Sequence, residues 1–228
     1  MKALLLLHGA LGSARQLAPL ATALSHRFDV HTPQLPGHGG DPLDEFSIPA
    51  FASFIAGYIH NKGLEGSPVF GYSMGGYIAL HMARQEPSLF SRVATLGTKL
   101  DWTEDGAANE ASLLDPASLE EKLPAFAETL RERHAPADWK EVTRNTAALM
   151  LDLGRRPLVT NADLATLPIP VMLMLGDRDR MVSLDETLAA RKALRAGSLA
   201  VLPGTPHPLE AVDPGLVSEI LIRFFEPC

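Results

Sequence analysis

The chain has almost no cysteine, because Cys228 is the one cysteine among its 228 residues. An intramolecular disulfide is therefore excluded, and no cysteine cluster is available to bind a metal ion. Low cysteine usage is typical of a reducing compartment, so we expect a cytoplasmic protein. Hydrophobic residues make up 46% of the chain, which is enough to bury the core of one domain without covalent cross-links.

Long apolar runs and an excess of positive charge are also missing. Five apolar residues follow Lys2 before His8 interrupts them, whereas a signal sequence needs roughly 7 to 15 and a membrane-spanning helix roughly 20. We therefore predict a buried strand here and no membrane insertion. The formal net charge of −7 disfavours nucleic acid and anionic lipid as partners.

Short apolar runs alternate with amphipathic stretches along the chain. This pattern predicts an α/β fold with a mostly parallel sheet buried on both faces and flanked by helices. Strands are predicted at residues 3–7, 28–32, 68–72, 92–96, 171–175 and 198–202. Helices are predicted at residues 15–25, 48–61, 74–85, 184–196 and 212–225.

The character of the chain changes between residues 98 and 167, where strand signals vanish. Pro116, Pro124, Pro136 and Pro157 divide this stretch into several short helices. We interpret residues 98–167 as a helical lid inserted in a core formed by residues 1–97 and 168–228. The alternative is a long crossover connection that packs on the face of the sheet.

The clearest chemical signal is the stretch Gly71–Gly76, which places Ser73 in a Gly-x-Ser-x-Gly pattern. A predicted strand ends directly before this pattern, and a predicted helix begins directly after it. Glycines on both sides of Ser73 allow the tight turn that exposes a nucleophilic serine hydroxyl. The competing interpretation is a glycine-rich turn in which Ser73 only caps the helix.

A serine hydroxyl needs a base and an orienting acid, and both follow later strands in the chain. The strand at 171–175 leads into a loop with Asp177 and Asp179, of which we select Asp179 as the acid. The strand at 198–202 is followed by His207, the predicted base. Of the earlier histidines, we expect His26, His31, His60, His81 and His134 at helix surfaces or strand ends.

Two backbone N–H groups are needed to stabilise an oxyanion. Met74, directly after the nucleophile, is predicted to supply one, and Ala10, in the loop after the first strand, the other. His8, at the end of that strand, is expected to hold the loop by hydrogen bonds rather than to act as a base.

These motifs together resemble the α/β-hydrolase superfamily, and specifically its lid-bearing members related to esterases, lactonases and meta-cleavage-product hydrolases. The resemblance spans most of the chain, and it also includes His8–Gly9, Gly12–Ser13 and the stretch from Pro36 to Gly39. It implies the same roles for Ser73, Asp179, His207, Ala10 and Met74, and a reaction that needs no cofactor and no metal. Relatives usually have two further strands before the His-Gly strand, so about six strands are implied here. Gln34 stands where relatives carry aspartate.

The predicted activity is ester hydrolysis through an acyl-enzyme on a small-to-medium, largely apolar substrate. Leu11, Trp102 and Met181 are the predicted substrate-binding residues, and Met74, Trp139 and Met150 are further candidates for the pocket wall. Two alternatives keep the same triad: hydrolysis of a carbon–carbon bond, or a lyase reaction like that of the menaquinone-pathway cyclohexadiene-carboxylate synthase. Arginines that bind a substrate carboxylate would favour these, with Arg131, Arg133 and His134 as one candidate cluster. A third alternative is a ligand receptor with slow turnover.

Overall fold

The computed structural model describes residues 1–42 and 45–226, so Cys228 lies outside the described residues. Six strands follow in chain order: β1 (Lys2–Leu7), β2 (Phe28–His31), β3 (Ser67–Tyr72), β4 (Phe90–Leu96), β5 (Val171–Gly176) and β6 (Gly197–Leu202). The helices are α1 (Ala18–Leu24), α2 (Ile48–Lys62), α3 (Met74–Gln85), α4 (Glu104–Ser112), α5 (Pro116–Lys122), α6 (Pro124–His134), α7 (Trp139–Arg155), α8 (Asn161–Leu164), α9 (Leu184–Ala193) and α10 (Pro214–Phe225). Short 3₁₀ turns cover Ala14–Leu17, Pro87–Leu89 and Leu209–Ala211.

The strands form one sheet in the order β2-β1-β3-β4-β5-β6, and each neighbouring pair is parallel. The chain runs outward from β1 to β2, then returns and builds the remaining strands on the other side of β1. The order therefore reverses between β1 and β3, and ligands of open α/β sheets bind beside the carboxyl ends of strands at such a reversal.

Strand β1 shows why the sheet forms. Its four leucines are fully buried, and they alternate between the two faces: Leu5 and Leu7 belong to the core beneath α2 and α3, whereas Leu4 and Leu6 belong to the core beneath α1 and α10. A strand that is apolar at every position fits only a sheet covered on both sides. The predicted fold, a parallel six-stranded sheet flanked by helices, is confirmed.

The predicted helix at 15–25 begins later than expected. A 3₁₀ turn occupies Ala14–Leu17 and α1 starts at Ala18, with Pro19 in its first turn. The last two predicted helices are also shorter, since α9 ends at Ala193 and α10 begins at Pro214.

Five helices, α4 to α8, occupy the segment between β4 and β5. Pro116 and Pro124 stand at the starts of α5 and α6, where proline costs no helical hydrogen bond. Helices α5 to α7 form a small core of their own, which includes Leu119, Leu130 and Trp139. In the described part of the chain, no helix combines the length and the apolar character needed to cross a membrane.

Gly75, in the first turn of α3, permits a close approach of this helix to the backbone of β1. A Cβ atom at this position would lie 2.6 Å from the carbonyl oxygen of His8 and closer still to that of Leu7. We expect Gly75→Ala to lower the free energy of unfolding by about 2 kcal/mol or more, because the backbone of β1 must move. Urea unfolding measures this loss.

The matched control is Gly57→Ala in α2, where an added Cβ meets nothing within 4 Å. This substitution should raise stability by about 0.5–1 kcal/mol through helix propensity. Equal effects of the two substitutions would contradict the close approach of α3 to β1.

Candidate active site

Ser73 lies between β3 and α3 in a backbone conformation that only glycine adopts readily. Its φ and ψ are 51° and −116°, and Ser73 and Leu11 are the two non-glycine residues with positive φ among the described ones. The Ser73 side chain makes no capping hydrogen bond to α3, so the interpretation of this serine as a helix cap is wrong. Its backbone is held instead, since the N–H donates to the Leu96 carbonyl over 2.8 Å and Thr98 Oγ1 donates to the Ser73 carbonyl over 3.0 Å.

Asp179 and His207 meet although 28 residues separate them. The Nδ1 atom of His207 lies 2.7 Å from Oδ2 of Asp179, whose side chain is 2% exposed. The other carboxylate oxygen accepts the N–H groups of Met181 and Val182 over 2.8 and 2.9 Å. Burial alone would raise the pKa of Asp179, but the hydrogen bond and charge of His207 and the two N–H groups lower it. The carboxylate is therefore fixed and ionised.

Asp177, the competing acid, has a different partner. Its Oδ1 accepts the N–H of Thr205 over 3.1 Å, and the N–H of Arg178 donates to the Thr205 carbonyl. These bonds join the loop after β5 to the loop after β6. Of the two acids, Asp179 is the one that contacts His207.

Tyr72, the last residue of β3, anchors the loop of His207. Its hydroxyl donates to the His207 carbonyl over 2.8 Å, and the two rings lie 5.5 Å apart. Burial raises the pKa of Tyr72, so the hydroxyl stays protonated and keeps donating. Tyr72 was not among the predicted site residues, although its place beside Ser73 was a usable signal.

Ser73 and His207 line the same two cavities. No hydrogen bond joins their side chains among residues 1–42 and 45–226. Bonds from a nucleophile to its base are commonly long without substrate and tighten in the reacting complex. The side chains of Ser73 and His207 therefore lie at one site without a direct hydrogen bond between them.

The backbone N–H groups of Ala10 and Met74 make no hydrogen bond within the described part of the chain. Both residues line a small cavity of about 40 Å³ together with Ser73. This cavity is called the inner cavity below. Met74 is the first residue of α3, where N–H groups have no partner within the helix. Both N–H groups are therefore available to an acceptor oxygen.

Leu11, next to Ala10, is held in its left-handed conformation (φ 56°) by helix α6. Its carbonyl accepts Nη1 of Arg133 over 2.9 Å and lies 3.1 Å from Nε2 of His134. Nδ1 of His134 in turn accepts the N–H of Gly39 over 3.1 Å, so Nε2 must carry the proton. Burial lowers the pKa of His134 to about 4, which keeps the ring neutral. Two loops and α6 therefore converge on one imidazole.

The predicted place of His134 on a helix surface is wrong, because this ring is fully buried. Ala127 and Leu130 are buried on the same face of α6, and their spacing of seven and four residues from His134 was a signal for its inward position. Trp139 was a wrong pocket candidate, because it packs inside the core of α5 to α7 and lines neither cavity.

His8 holds the first loop as expected. Its Nδ1 lies 2.9 Å from the Gly9 carbonyl, and its Nε2 accepts the N–H of Leu35 over 3.1 Å and the amide of Gln34 over 3.0 Å. Gln34 also accepts the N–H of Ala14 over 2.9 Å. Gln34 therefore bridges two loops.

Two cavities have Ser73 in their walls. The inner one has a volume of about 40 Å³ and is lined by Trp102, Tyr77 and residues of α7. The outer one has a volume of about 570 Å³ and is lined mainly by apolar residues of α4 to α6, together with Leu11. Met181 lines both, so the three predicted substrate-binding residues lie at the cavities. Among the described residues, no group of three or more His, Cys, Asp or Glu side chains is arranged to bind a metal ion.

Comparison with known proteins agrees with this architecture. Residues 4–220 match the model of the alpha/beta hydrolase family, and the chain therefore belongs to that family. It is a hydrolase, as its named relatives are.

Two named relatives show how similar the chain is to known hydrolases. The 2-(acetamidomethylene)succinate hydrolase of Mesorhizobium japonicum is 26% identical over 244 residues, which cover 98% of this chain and 87% of that protein. The pimeloyl-[acyl-carrier protein] methyl ester esterase of Xanthomonas campestris is 29% identical over 256 residues, covering 97% and 94%.

Solved structures share the fold. NosK from Streptomyces actuosus superimposes with a TM-score of 0.82 at 23% identity, covering 99% of this chain and 98% of that one. A thermophilic esterase from Thermogutta terrifontis has a TM-score of 0.78 at 20% identity, covering 98% and 89%.

The buried histidines make stability depend on pH. Burial lowers the pKa of His8 to about 4, whereas an unfolded histidine titrates near 6.5. The unfolded chain therefore binds a proton first as the pH falls, and stability is lost between about pH 6.5 and 4. We expect His8 alone to lower the free energy of unfolding by about 2 kcal/mol between pH 7 and pH 5.

Urea unfolding at several pH values tests this expectation. The His8→Gln variant should lose that part of the pH dependence, whereas His26→Gln, which changes an exposed ring, should keep it. An unchanged pH dependence in His8→Gln would contradict a neutral, buried His8.

Proposed function

We propose that this hydrolase cleaves carboxylic ester or related acyl bonds through a serine nucleophile. The observation that carries the proposal is the contact between Asp179 and His207 at a cavity that Ser73 also lines. An imidazole bound at Nδ1 by a carboxylate presents Nε2 as the free base. Ser73, Asp179 and His207 are the proposed triad.

In the proposed mechanism, Nε2 of His207 takes the proton of Ser73 while Oγ attacks the substrate carbonyl. The unpaired N–H groups of Ala10 and Met74 stabilise the oxyanion that forms. The imidazolium then returns its proton to the leaving group, and an acyl-enzyme results. Water activated by the same imidazole releases the acid and restores Ser73.

Asp179 has two functions in this scheme. Its hydrogen bond keeps the proton of neutral His207 on Nδ1, and its negative charge stabilises the imidazolium formed in each step. Because the N–H groups of Met181 and Val182 hold the carboxylate from the other side, the ring is oriented before substrate binds.

We further propose that helices α4 to α8 act as a lid over this site, with residues 1–97 and 168–228 as the catalytic core. The outer cavity lies between this segment and the loops that follow β1 and β6. Its largely apolar wall, including Leu11, suits a small-to-medium apolar substrate.

The wall also favours ester hydrolysis over the alternatives that require a carboxylate-binding arginine. Arg133 lines the outer cavity, but it already pairs with Glu210 over 2.8 Å and donates to the Leu11 carbonyl. The name of the methyl ester esterase from Xanthomonas campestris is a further reason to propose an ester substrate.

A fluorophosphonate probe followed by peptide mapping tests the nucleophile. We expect labelling at Ser73 that is lost in Ser73→Ala and kept in Ser53→Ala, which changes an exposed serine of α2. Steady-state kcat on an ester should fall by about 10⁴-fold or more in Ser73→Ala and His207→Ala. Labelling at another residue would refute the proposal, and tight binding of an ester without turnover would point to a receptor.

The acid is tested by a matched pair of substitutions. Asp179→Asn should lower kcat by roughly 10³- to 10⁴-fold, because the imidazole loses its orientation and its counter-charge. Asp177→Asn changes a carboxylate in the same loop that does not contact His207. Its loss in kcat should therefore be at least tenfold smaller. A larger loss in Asp177→Asn would assign the acid to that residue.

A further inference from the structure

We propose that the site selects esters with one small substituent and one long aliphatic substituent, the small one in the inner cavity and the long one in the outer cavity. This inference rests on the proposed function and names its substrate class. Ser73 and His207 line both cavities, as do Ala10 and Met181. A carbonyl carbon attacked by Ser73 would thus have one substituent on each side.

The inner cavity is too small for a chain. On the same measure the outer cavity offers about 570 Å³, so the 40 Å³ of the inner cavity suits only a short substituent. Its walls are firm, because Leu149 and Leu153 of α7 are buried and the Tyr77 hydroxyl accepts the N–H groups of Leu158 and Val159 over 2.9 and 3.0 Å.

The cation on the inner wall already has partners. Lys99 lines the cavity, but its Nζ donates to the Met181 carbonyl over 3.4 Å and lies 5.7 Å from the centre of the Trp102 ring. The group that enters the inner cavity is therefore small and uncharged.

The outer cavity has the size and the surface that a chain requires. Its volume of about 570 Å³ lies within the usual range for ligand sites, about 300–1,000 Å³. Leu113, Leu123 and Phe126 line it and remain 66%, 54% and 38% exposed. Exposed apolar side chains gathered at one opening mark a binding surface, and here that surface leads to Ser73. An aliphatic chain is the occupant that covers these three side chains.

Four esters test this asymmetry: methyl acetate, methyl hexanoate, hexyl acetate and hexyl hexanoate. The rate of acid release is measured for each ester at concentrations below its solubility limit. At least one mixed ester should exceed both methyl acetate and hexyl hexanoate by tenfold or more in kcat/KM, since each buried methylene contributes roughly fourfold. Preference for methyl hexanoate would place the alcohol in the inner cavity, and preference for hexyl acetate would place the acyl group there. A mixed-ester advantage below tenfold would overturn the inference.

Substitutions at the two ends should act in opposite ways. Leu123→Ser and Phe126→Ser should each lower the ratio of mixed-ester to methyl acetate kcat/KM by threefold or more. The control Phe54→Ser changes an exposed side chain of α2 that lines neither cavity, and it should leave this ratio unchanged.

Enlarging the inner cavity should admit the long ester. Leu149→Ala or Leu153→Ala is expected to raise kcat/KM for hexyl hexanoate relative to the mixed esters by threefold or more, in whichever variant melts cooperatively. No gain in a folded variant would count against the inference. Fluorophosphonate labelling of Ser73 distinguishes a failure of this inference from a failure of the proposed function. Labelling without a preference for mixed esters would refute the inference and leave the proposed function standing.

Discussion

The hydrogen bond between Asp179 and His207 is the contact on which the arrangement of the site depends. It connects the loops after β5 and β6 through two side chains. The Thr205 N–H, which donates to the Asp177 carboxylate, connects the same two loops a second time. The Tyr72 hydroxyl then ties the His207 loop to the end of β3. The ends of three strands of the sheet thus hold one imidazole in place.

Much of this architecture could be predicted because local sequence patterns indicate it. The strands are short apolar runs, and Leu4 to Leu7 already show that both faces of the sheet are covered. The turn at Ser73 follows from its glycines, and the positions of Asp179 and His207 follow from the rule that loops after parallel strands meet at one edge of the sheet. Helix ends were less certain, because the start of α1 depends on a 3₁₀ turn that the apolar pattern does not reveal.

Contacts between distant segments could not be predicted. Leu11 and His134 are 123 residues apart, and nothing in the polar sequence of α6 shows which loop its last turn will meet. The same holds for Gln34, whose bonds to His8 and Ala14 exist only after two loops have packed together. The division of the site into a small and a large cavity likewise depends on how α7 and α4 to α6 lie over the sheet.

The left-handed conformation of Leu11 has a consequence for how this enzyme can change during evolution. Its carbonyl is held by Arg133 and His134 of α6, and its side chain packs into the small core of α5 to α7. An exchange of the whole helical segment for another would therefore disturb the neighbouring Ala10 as well as the substrate cavity. Changes in α4 leave these contacts of Leu11 intact, whereas changes in α5 or in the last turn of α6 alter the support of the first loop of the sheet.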